Sequence, residues 1–494
     1  MTEPINRRAF ITGLLGSMTV PTRASAAPWM AAFGGLSDEA QHGFKTLNVN
    51  GRFPDELKGT LYRAGAMRFA SADGEPYGHW FDGDGGVYGL RITSPTSAEA
   101  AIRMVDSVGL QKEMKAGRRI YSGYGSGAPN APWRILTNQF KNVANTNVIH
   151  WDDELWALVE SHGPTRMNPE TLETIGESNL SGRLRGGFSA HPHQIAGRPE
   201  LFNMGITFGL QPRLDFYQLT PGKKPIRTKI AKPGTPLVHD FALTEHHAIV
   251  FLAPIEIDFA AVFKHDGAVT PGMKWNSSAG TEIVVIPLSD PHKQRRFTVD
   301  PFYCWHIGNA FEKGDQLIID AVVYPNFDSN EALGLIPSGK NNKGGLNGIL
   351  TRLTIDPSRE HVKHTQLMEQ HCEFPQVHPA RWGKRHDTVV VASFSSKQAS
   401  LQGIHDQLSL INCITGESTH LSLGQGTFTG EALMIPKANL SKGSWIMAVF
   451  LDTTCNRSSL AVIDSEQFSA GPIATAQYHS ALPFTFHGHW LPTS

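Results

Sequence analysis

The stretch Gly187-Phe188-Ser189-Ala190-His191-Pro192-His193, followed by Arg198-Pro199-Glu200-Leu201-Phe202-Asn203-Met204-Gly205, decides the fold. A proline directly behind His191 fixes the backbone there and holds the imidazole stiffly. His191 reads as a metal ligand placed at the start of a strand. Three further histidines read the same way: His239 in Leu237-Val238-His239-Asp240-Phe241, His306 in Tyr303-Cys304-Trp305-His306-Ile307-Gly308-Asn309, and His487 in Phe484-Thr485-Phe486-His487-Gly488-His489. No two of the four are close in sequence. If one ion gathers them, the fold must carry distant segments to a common axis.

The surrounding text is punctuated β. Segments 59–65 and 80–92 predict strands joined through a Gly/Asp turn. Segments 281–288, 316–324, 388–394, 408–412 and 445–451 are apolar or β-branched runs bounded by turn residues. No long segment has a helical period. Many short strands over this length predict a barrel, stacked sheets or a propeller. A propeller suits the histidines best, because inner strands of separate blades meet on one axis. No repeat signature of the WD or kelch kind marks the blades.

Composition agrees. Charged residues make up 18% of the 494, and 48 Gly and 31 Pro favour strands and turns over long helices. The net charge of −1 and the lack of a basic stretch exclude nucleic acid as a partner. Cys304, Cys372, Cys413 and Cys455 form no CxxC pair, so they read as buried free thiols. Two Gly-rich stretches, 115–132 and 337–348, read as solvent loops, with a substrate entrance as the alternative.

The N-terminus predicts export. Arg7 and Arg8 precede Phe10, an apolar run follows from Ala9 to Val20, and Ala24-Ser25-Ala26 supplies a small-residue cleavage site. Residues 1–26 are therefore expected to be a twin-arginine signal that directs a folded protein to the periplasm, and residues 27–494 a single domain. Without a working signal the protein would stay in the cytoplasm.

Neutral imidazoles suit Fe, Zn, Cu and Ni. A bound histidine usually donates its second ring N–H to a carboxylate or carbonyl. Three glutamates sit in apolar surroundings that would make an unpaired carboxylate costly: Glu160 after Trp156-Ala157-Leu158-Val159, Glu373 in Cys372-Glu373-Phe374-Pro375, and Glu431 in Thr429-Gly430-Glu431-Ala432-Leu433. His193, His246, His247 and His489 lie beside the proposed ligands or near turns and are assigned ordinary structural roles. Of these, His489 is the nearest competitor, two residues from His487 on the same strand face.

Taken in order, the motifs resemble those of the carotenoid cleavage oxygenase family, which also holds stilbene cleavers and a retinoid isomerase. They include Gly59-Thr60-Leu61-Tyr62-Arg63-Ala64-Gly65, His79-Trp80-Phe81-Asp82-Gly83-Asp84-Gly85, Asn145-Thr146-Asn147-Val148 and Ala157-Leu158-Val159-Glu160, then segment 168–176 and the histidine and glutamate motifs above. The resemblance spans nearly the whole chain beyond the signal. It implies an all-β, seven-bladed propeller with a cap of loops and short helices over an axial metal. It also implies Fe(II) held by His191, His239, His306 and His487. Glu160 would support His239, Glu373 would support His306 and Glu431 would support His487, leaving His191 without a carboxylate. Four neutral ligands would leave two open positions side by side.

The activity the resemblance implies is cleavage of a conjugated C=C bond of a carotenoid or apo-carotenoid with O2, giving two carbonyl products by a 15,15′ or 13,14 cut. The alternative is a stilbene-cleaving dioxygenase. In stilbene cleavers the residue before the first supporting glutamate is typically a lysine that holds the phenol; here it is Val159, which suits an apolar polyene. An apolar tunnel should fix the bond that meets the iron. A polyene substrate also implies peripheral contact with a membrane, although no amphipathic helix stands out. An all-histidine shell argues against a hydrolase built on oxygen ligands around Ca2+, and the intact ligand set argues against a propeller without turnover.

Overall fold

The structure is a computed structural model. It describes residues 27–208, 212–230, 237–340, 344–438 and 443–493. The expected export signal, residues 1–26, lies outside the described residues.

Seven antiparallel sheets follow one another around an axis. The strand His247–Leu252 shows why they stack. Ala248, Val250 and Leu252 pack into one apolar cluster, while Ile249 and Phe251 pack into the next. Successive residues point to opposite faces of a strand, and here both faces are covered by neighbouring blades. The same division holds in Thr388–Ser393, where Val389 and Val391 face one neighbour and Val390 and Ala392 the other. That is why these strands read as unbroken apolar runs rather than as alternation.

In chain order, the inner strands of the first five blades are Asn147–Trp151, His193–Gln194, Ala242–Leu243, Tyr303–Lys313 and Cys372–Gln376. The sixth blade is built on Ser444–Asp452, which carries the short strands Thr427–Thr429 and Leu433–Pro436. Both chain ends close the ring. Asn48–Gly51 pairs with Pro472–Gln477 at the outside of the sixth blade. The C-terminal strand His487–Pro492 pairs with Gly59–Arg68 on the axis side of the seventh, placing His487 opposite Ala64. His487 thus reaches the axis only when the N-terminal part of the chain is folded.

A cap covers one end of the ring. It holds the helices Val108–Ala116, Phe259–Lys264 and Ser329–Leu335 and the ribbon of Ile255–Ile257 with Met273–Trp275. The first helix is bounded by local chemistry. Ser107 Oγ accepts from Leu110 N at 3.2 Å, and Gly117 at φ 62° ends the helix in a left-handed turn.

Most expected strands lie within a residue or two of their place, and Gln316–Tyr324 coincides. Segment 80–92 differs: Trp80–Asp82 is a 3-10 turn and the strand is Asp84–Ser94. The His79 ring accepts from Phe81 N at 3.1 Å, which bends the chain there. His191 precedes its strand, which begins at His193. Stretch 115–132 is no plain solvent loop, since Ser122 and Ser126 are buried and face a cavity beneath the cap. Leu346, in the other Gly-rich stretch, is also buried. All four cysteines are free thiols, but only Cys372 and Cys413 are buried; Cys304 is half-buried, and Cys455 is exposed because it sits in the turn between Ser444–Asp452 and Arg457–Asp464.

Candidate metal centre

The four expected histidines come together. Each enters the axis at or near the beginning of an inner strand of a different blade. Nε2 of His191 lies 3.0 Å from Nε2 of His239, which lies 3.3 Å from Nε2 of His306, which lies 3.1 Å from Nε2 of His487. All four ring nitrogens fall within 4.8 Å of one another.

Local structure holds these rings in place. A Cβ on Gly187 would collide with the Glu160 carbonyl oxygen, so glycine lets the loop before His191 close on the neighbouring blade. Ser189 Oγ donates to the His239 carbonyl at 3.0 Å and accepts from His191 N at 3.1 Å, which ties two histidine loops together. Asp240 does the same for the next pair. One of its oxygens accepts from His193 Nε2 at 2.6 Å, and the other from Ile307 N at 2.8 Å, beside His306.

The carboxylates are graded. Glu373 meets His306 Nδ1 at 2.5 Å and also accepts from Tyr324 Oη at 2.8 Å and Phe374 N at 2.8 Å. Glu431 meets His487 Nδ1 at 2.9 Å, Arg63 Nη1 at 2.6 Å and Gln376 Nε2 at 2.9 Å. Glu160 lies 3.2 Å from His239 Nδ1, but the contact is poorly aligned and leaves Oε1 without a hydrogen bond. His191 has no carboxylate partner among the described residues.

Electrostatics follows from burial. Burial alone would push Glu373 and Glu431 up, yet His306 beside the first, and His487 with Arg63 beside the second, hold both below the ordinary carboxylate value. Burial holds His191 well below the usual histidine value and His487 at about 4, against the opposing pull of Glu431. Burial would lower His306 too, but the Glu373 carboxylate outweighs it and the net shift is upward.

These residues fit a divalent cation. A neutral imidazole that donates from Nδ1 to a carboxylate has a bare lone pair on Nε2. His306 and His487 both do so, and their Nε2 lone pairs then face each other at 3.1 Å. That arrangement is repulsive unless a metal cation, or a proton carried by His306, lies between them. Neighbouring nitrogens at about 2.0–2.1 Å from one ion are about 3 Å apart, close to the spacing seen. Charge also balances: Arg63 already neutralises Glu431, leaving Glu160 and Glu373 against a charge of two.

The remaining named histidines stand apart from this set. His193 is held by Asp240, and His246 and His247 both meet Glu312, at 2.8 and 3.0 Å. His489 lines a cavity of mixed polarity, about 360 Å³, on the face of the ring opposite the cap, with His193 and Gln194; His191 and His487 border the same cavity. Arg63, Tyr324 and Asp240 were not singled out from sequence. Arg63 alone left a signal there, as a charge inside an apolar strand.

Two apolar cavities meet the histidines from the cap side. The larger, about 140 Å³, is lined by Val159, Glu160, Phe140, Phe208, Leu237 and Val269 among others. The smaller, about 60 Å³, touches His306 and His487 and is walled by Trp80, Phe374, Phe484 and Phe486. Phe81, Thr146, His239 and Trp305 line both, so the two cavities adjoin beside the histidine cluster.

The family model described as retinal pigment epithelial membrane protein matches residues 36–492. The chain belongs to this carotenoid oxygenase family. Among its relatives, the apocarotenoid-15,15′-oxygenase of Synechocystis sp. is 30% identical, over 96% of this chain and 98% of that protein. The lignostilbene-α,β-dioxygenase isozyme III of Sphingomonas paucimobilis is 26% identical, over 91% of this chain and 94% of the relative. The crystal structure of cobalt-substituted Synechocystis apocarotenoid oxygenase superposes with a TM-score of 0.82 at 27% identity, over 94% of this chain and 99% of that one. Carotenoid oxygenase membership and the seven-bladed ring therefore stand together.

Proposed function

We propose that this protein is an Fe(II)-dependent dioxygenase that cleaves a conjugated C=C bond of a carotenoid or apo-carotenoid with O2 to give two carbonyl products. The observation that carries the reading is the adjoining pair of apolar cavities beside the converged histidines, three of which (His239, His306 and His487) line their walls. His191, His239, His306 and His487 would hold the iron, with Glu160, Glu373 and Glu431 orienting three of the rings. Bound iron would supply the activation of O2. The rest is the work of the chain. The aromatic walls around Phe81, Trp305, Phe374 and Phe486 exclude water and hold a slender polyene across the histidines. No acid or base facing the double bond is required, because no proton moves in the overall reaction.

Product mass spectrometry tests this. Iron-loaded protein would be given an apo-carotenal and a 4-hydroxystilbene together in air. Fragments from the polyene alone support the reading and identify the bond; benzaldehyde-type fragments alone overturn it in favour of the stilbene branch. Val159→Lys sharpens the choice. An ammonium placed in this apolar cavity should cut polyene turnover at least tenfold and, if the alternative branch is one residue away, bring measurable stilbene binding.

Membrane contact is also proposed. Trp133, Phe259 and Phe263 are exposed, and they flank Ile135, Val262 and Val269, whose cluster includes the wall of the larger cavity. Replacing all three with Ser should abolish co-flotation with lipid vesicles while leaving turnover of detergent-dispersed substrate intact.

A further inference from the structure

The smaller cavity is almost wholly apolar, yet two of its lining residues are not satisfied. His405 is 5% exposed and its Nε2 is enclosed without a hydrogen-bond partner. Trp80 is 6% exposed and its Nε1 is likewise enclosed and unpartnered. Enclosed polar groups of this kind are rare in folded proteins, because each gives up its hydration with no hydrogen bond in return. The other polar groups along this wall are engaged. Tyr324 Oη donates to Glu373, Trp305 Nε1 to Ser329 Oγ, and Thr146 Oγ1 to Asn145.

Both side chains are fixed where they stand. The His405 ring stacks on Phe394, with centroids 4.3 Å apart and 28° between planes, and meets Phe374 at 5.8 Å. Trp80 packs on Phe486 at 4.8 Å and on Phe33 at 5.1 Å. Phe394, Phe486, Phe33 and Trp80 belong to one apolar cluster. Burial also holds His405 at about 4, so its imidazole is neutral at ordinary pH and its Nε2 can donate or accept one hydrogen bond according to the tautomer.

We propose that His405 and Trp80 form a polar stop at the far end of the substrate tunnel, which receives the oxygen atom on the leading end of the polyene chain. This inference rests on the polyene reading above. An indole N–H can only donate, so the group it meets must be an acceptor oxygen. The size of the lobe selects the end that enters. At about 60 Å³, against about 140 Å³ on the other side of the histidines, it takes a slim chain terminus and leaves a ring behind. The leading end is therefore the carbonyl end of an apo-carotenal. The stop then acts as a ruler: the length of chain between its oxygen and the histidines sets which double bond lies at the metal. His405 is a specificity-determining residue in this scheme and takes no part in bond cleavage.

The test uses three polyenes of equal chain length: an apo-carotenal, its analogue ending in methyl in place of the aldehyde, and the aldehyde carrying a hydroxyl on its ring. Equilibrium binding, read from polyene absorbance, is measured beside kcat and KM for iron-loaded wild type, His405→Phe, His405→Asn and Trp80→Phe. Thermal melts confirm folding. Wild type should favour the aldehyde over the methyl analogue about tenfold or more. His405→Phe should bring that ratio to within about twofold, chiefly through KM, and shift the product ratio between adjacent bonds. His405→Asn should restore part of the preference. An unchanged ratio in His405→Phe, or no preference in wild type, overturns the proposal and leaves an ordered water as the partner of the two nitrogens. A His405→Phe effect confined to the ring hydroxyl overturns the assigned direction of entry. Tight, discriminating binding with no cleavage would sink the dioxygenase reading and leave the polar stop standing, whereas absence of binding would sink both.

Discussion

The Arg63 guanidinium and the His487 imidazole grip opposite oxygens of one carboxylate. Arg63 Nη1 lies 2.6 Å from Glu431 Oε2, and His487 Nδ1 lies 2.9 Å from Glu431 Oε1. Arg63 also donates to the carbonyl of Phe486 at 3.0 Å, so the strand that closes the ring is fixed by the same side chain that balances its charge. Closure of the propeller and assembly of the metal site are thus one event.

That coupling makes the ion pair testable by a double-mutant cycle. The side chains of Arg63 and Glu431 are 3% and 2% exposed. Removing one member of such a pair leaves a buried charge unpaired and costs about 3–5 kcal/mol. Arg63→Met and Glu431→Gln should each lower stability by that order in urea titration. The double variant should lose clearly less than the sum of the two. Simple additivity would mean that the pair is not coupled.

Glu373 and Glu160 differ in how well they are held, and the variants should follow. Glu373 has three donors, whereas Glu160 has one poorly aligned contact and a side chain 28% exposed. Loss of a carboxylate behind a ligating histidine typically costs 10–100-fold in metal affinity. Glu373→Gln should fall in that range against a competing chelator, and Glu160→Gln should lose less than about tenfold. The reverse order would show that the alignment of these carboxylate contacts does not govern metal affinity.

Export is an independent matter. The pair Arg7 and Arg8 before an apolar run predicts transport of an already folded protein. Arg7→Lys with Arg8→Lys should retain full-length protein in the cytoplasm of a host with a twin-arginine pathway, with iron content unchanged. Normal appearance in the periplasm would remove the assignment.

The ring was legible because blade-facing strands such as Thr388–Ser393 are apolar on both faces, and because four histidines in apolar text demand a shared axis. Blade number was not legible from periodicity, since the blades share no sequence repeat; it came with the resemblance. Arg63 showed as a charge inside an apolar strand, but its role was hidden because its partner Glu431 lies 368 positions away. Asp240 was overshadowed by its neighbour His239, although it bridges two blades. The lining of 115–132 was misread because glycine and proline mark a turn equally well in solvent and beneath a cap. His405 left no signal at all, since its character depends on what its nitrogen fails to meet.

The last prediction concerns acid. His79, His405 and His487 are buried and His489 is half-buried, and loss of hydration holds each at about 4, against an ordinary value of about 6.5. The sign follows from proton counting. Between about pH 6.5 and 4 the unfolded chain binds these protons and the folded chain does not, so stability falls as pH falls. Each such histidine contributes a slope of about 1.4 kcal/mol per pH unit in that window. The depressed Glu373 and Glu431 act in the same direction at lower pH, because their contribution is present above the ordinary carboxylate value and is lost on acidification. Metal-free protein should therefore lose melting temperature steeply from about pH 6.5 towards pH 4.5, while the upward-shifted His306 acts in the opposite sense above pH 6.5. His79→Phe, outside the ligand set, should flatten the acid limb by roughly one histidine's share. A limb that begins only near pH 4.5 would mean that carboxylates alone control acid stability and that the buried rings are not neutral in the fold.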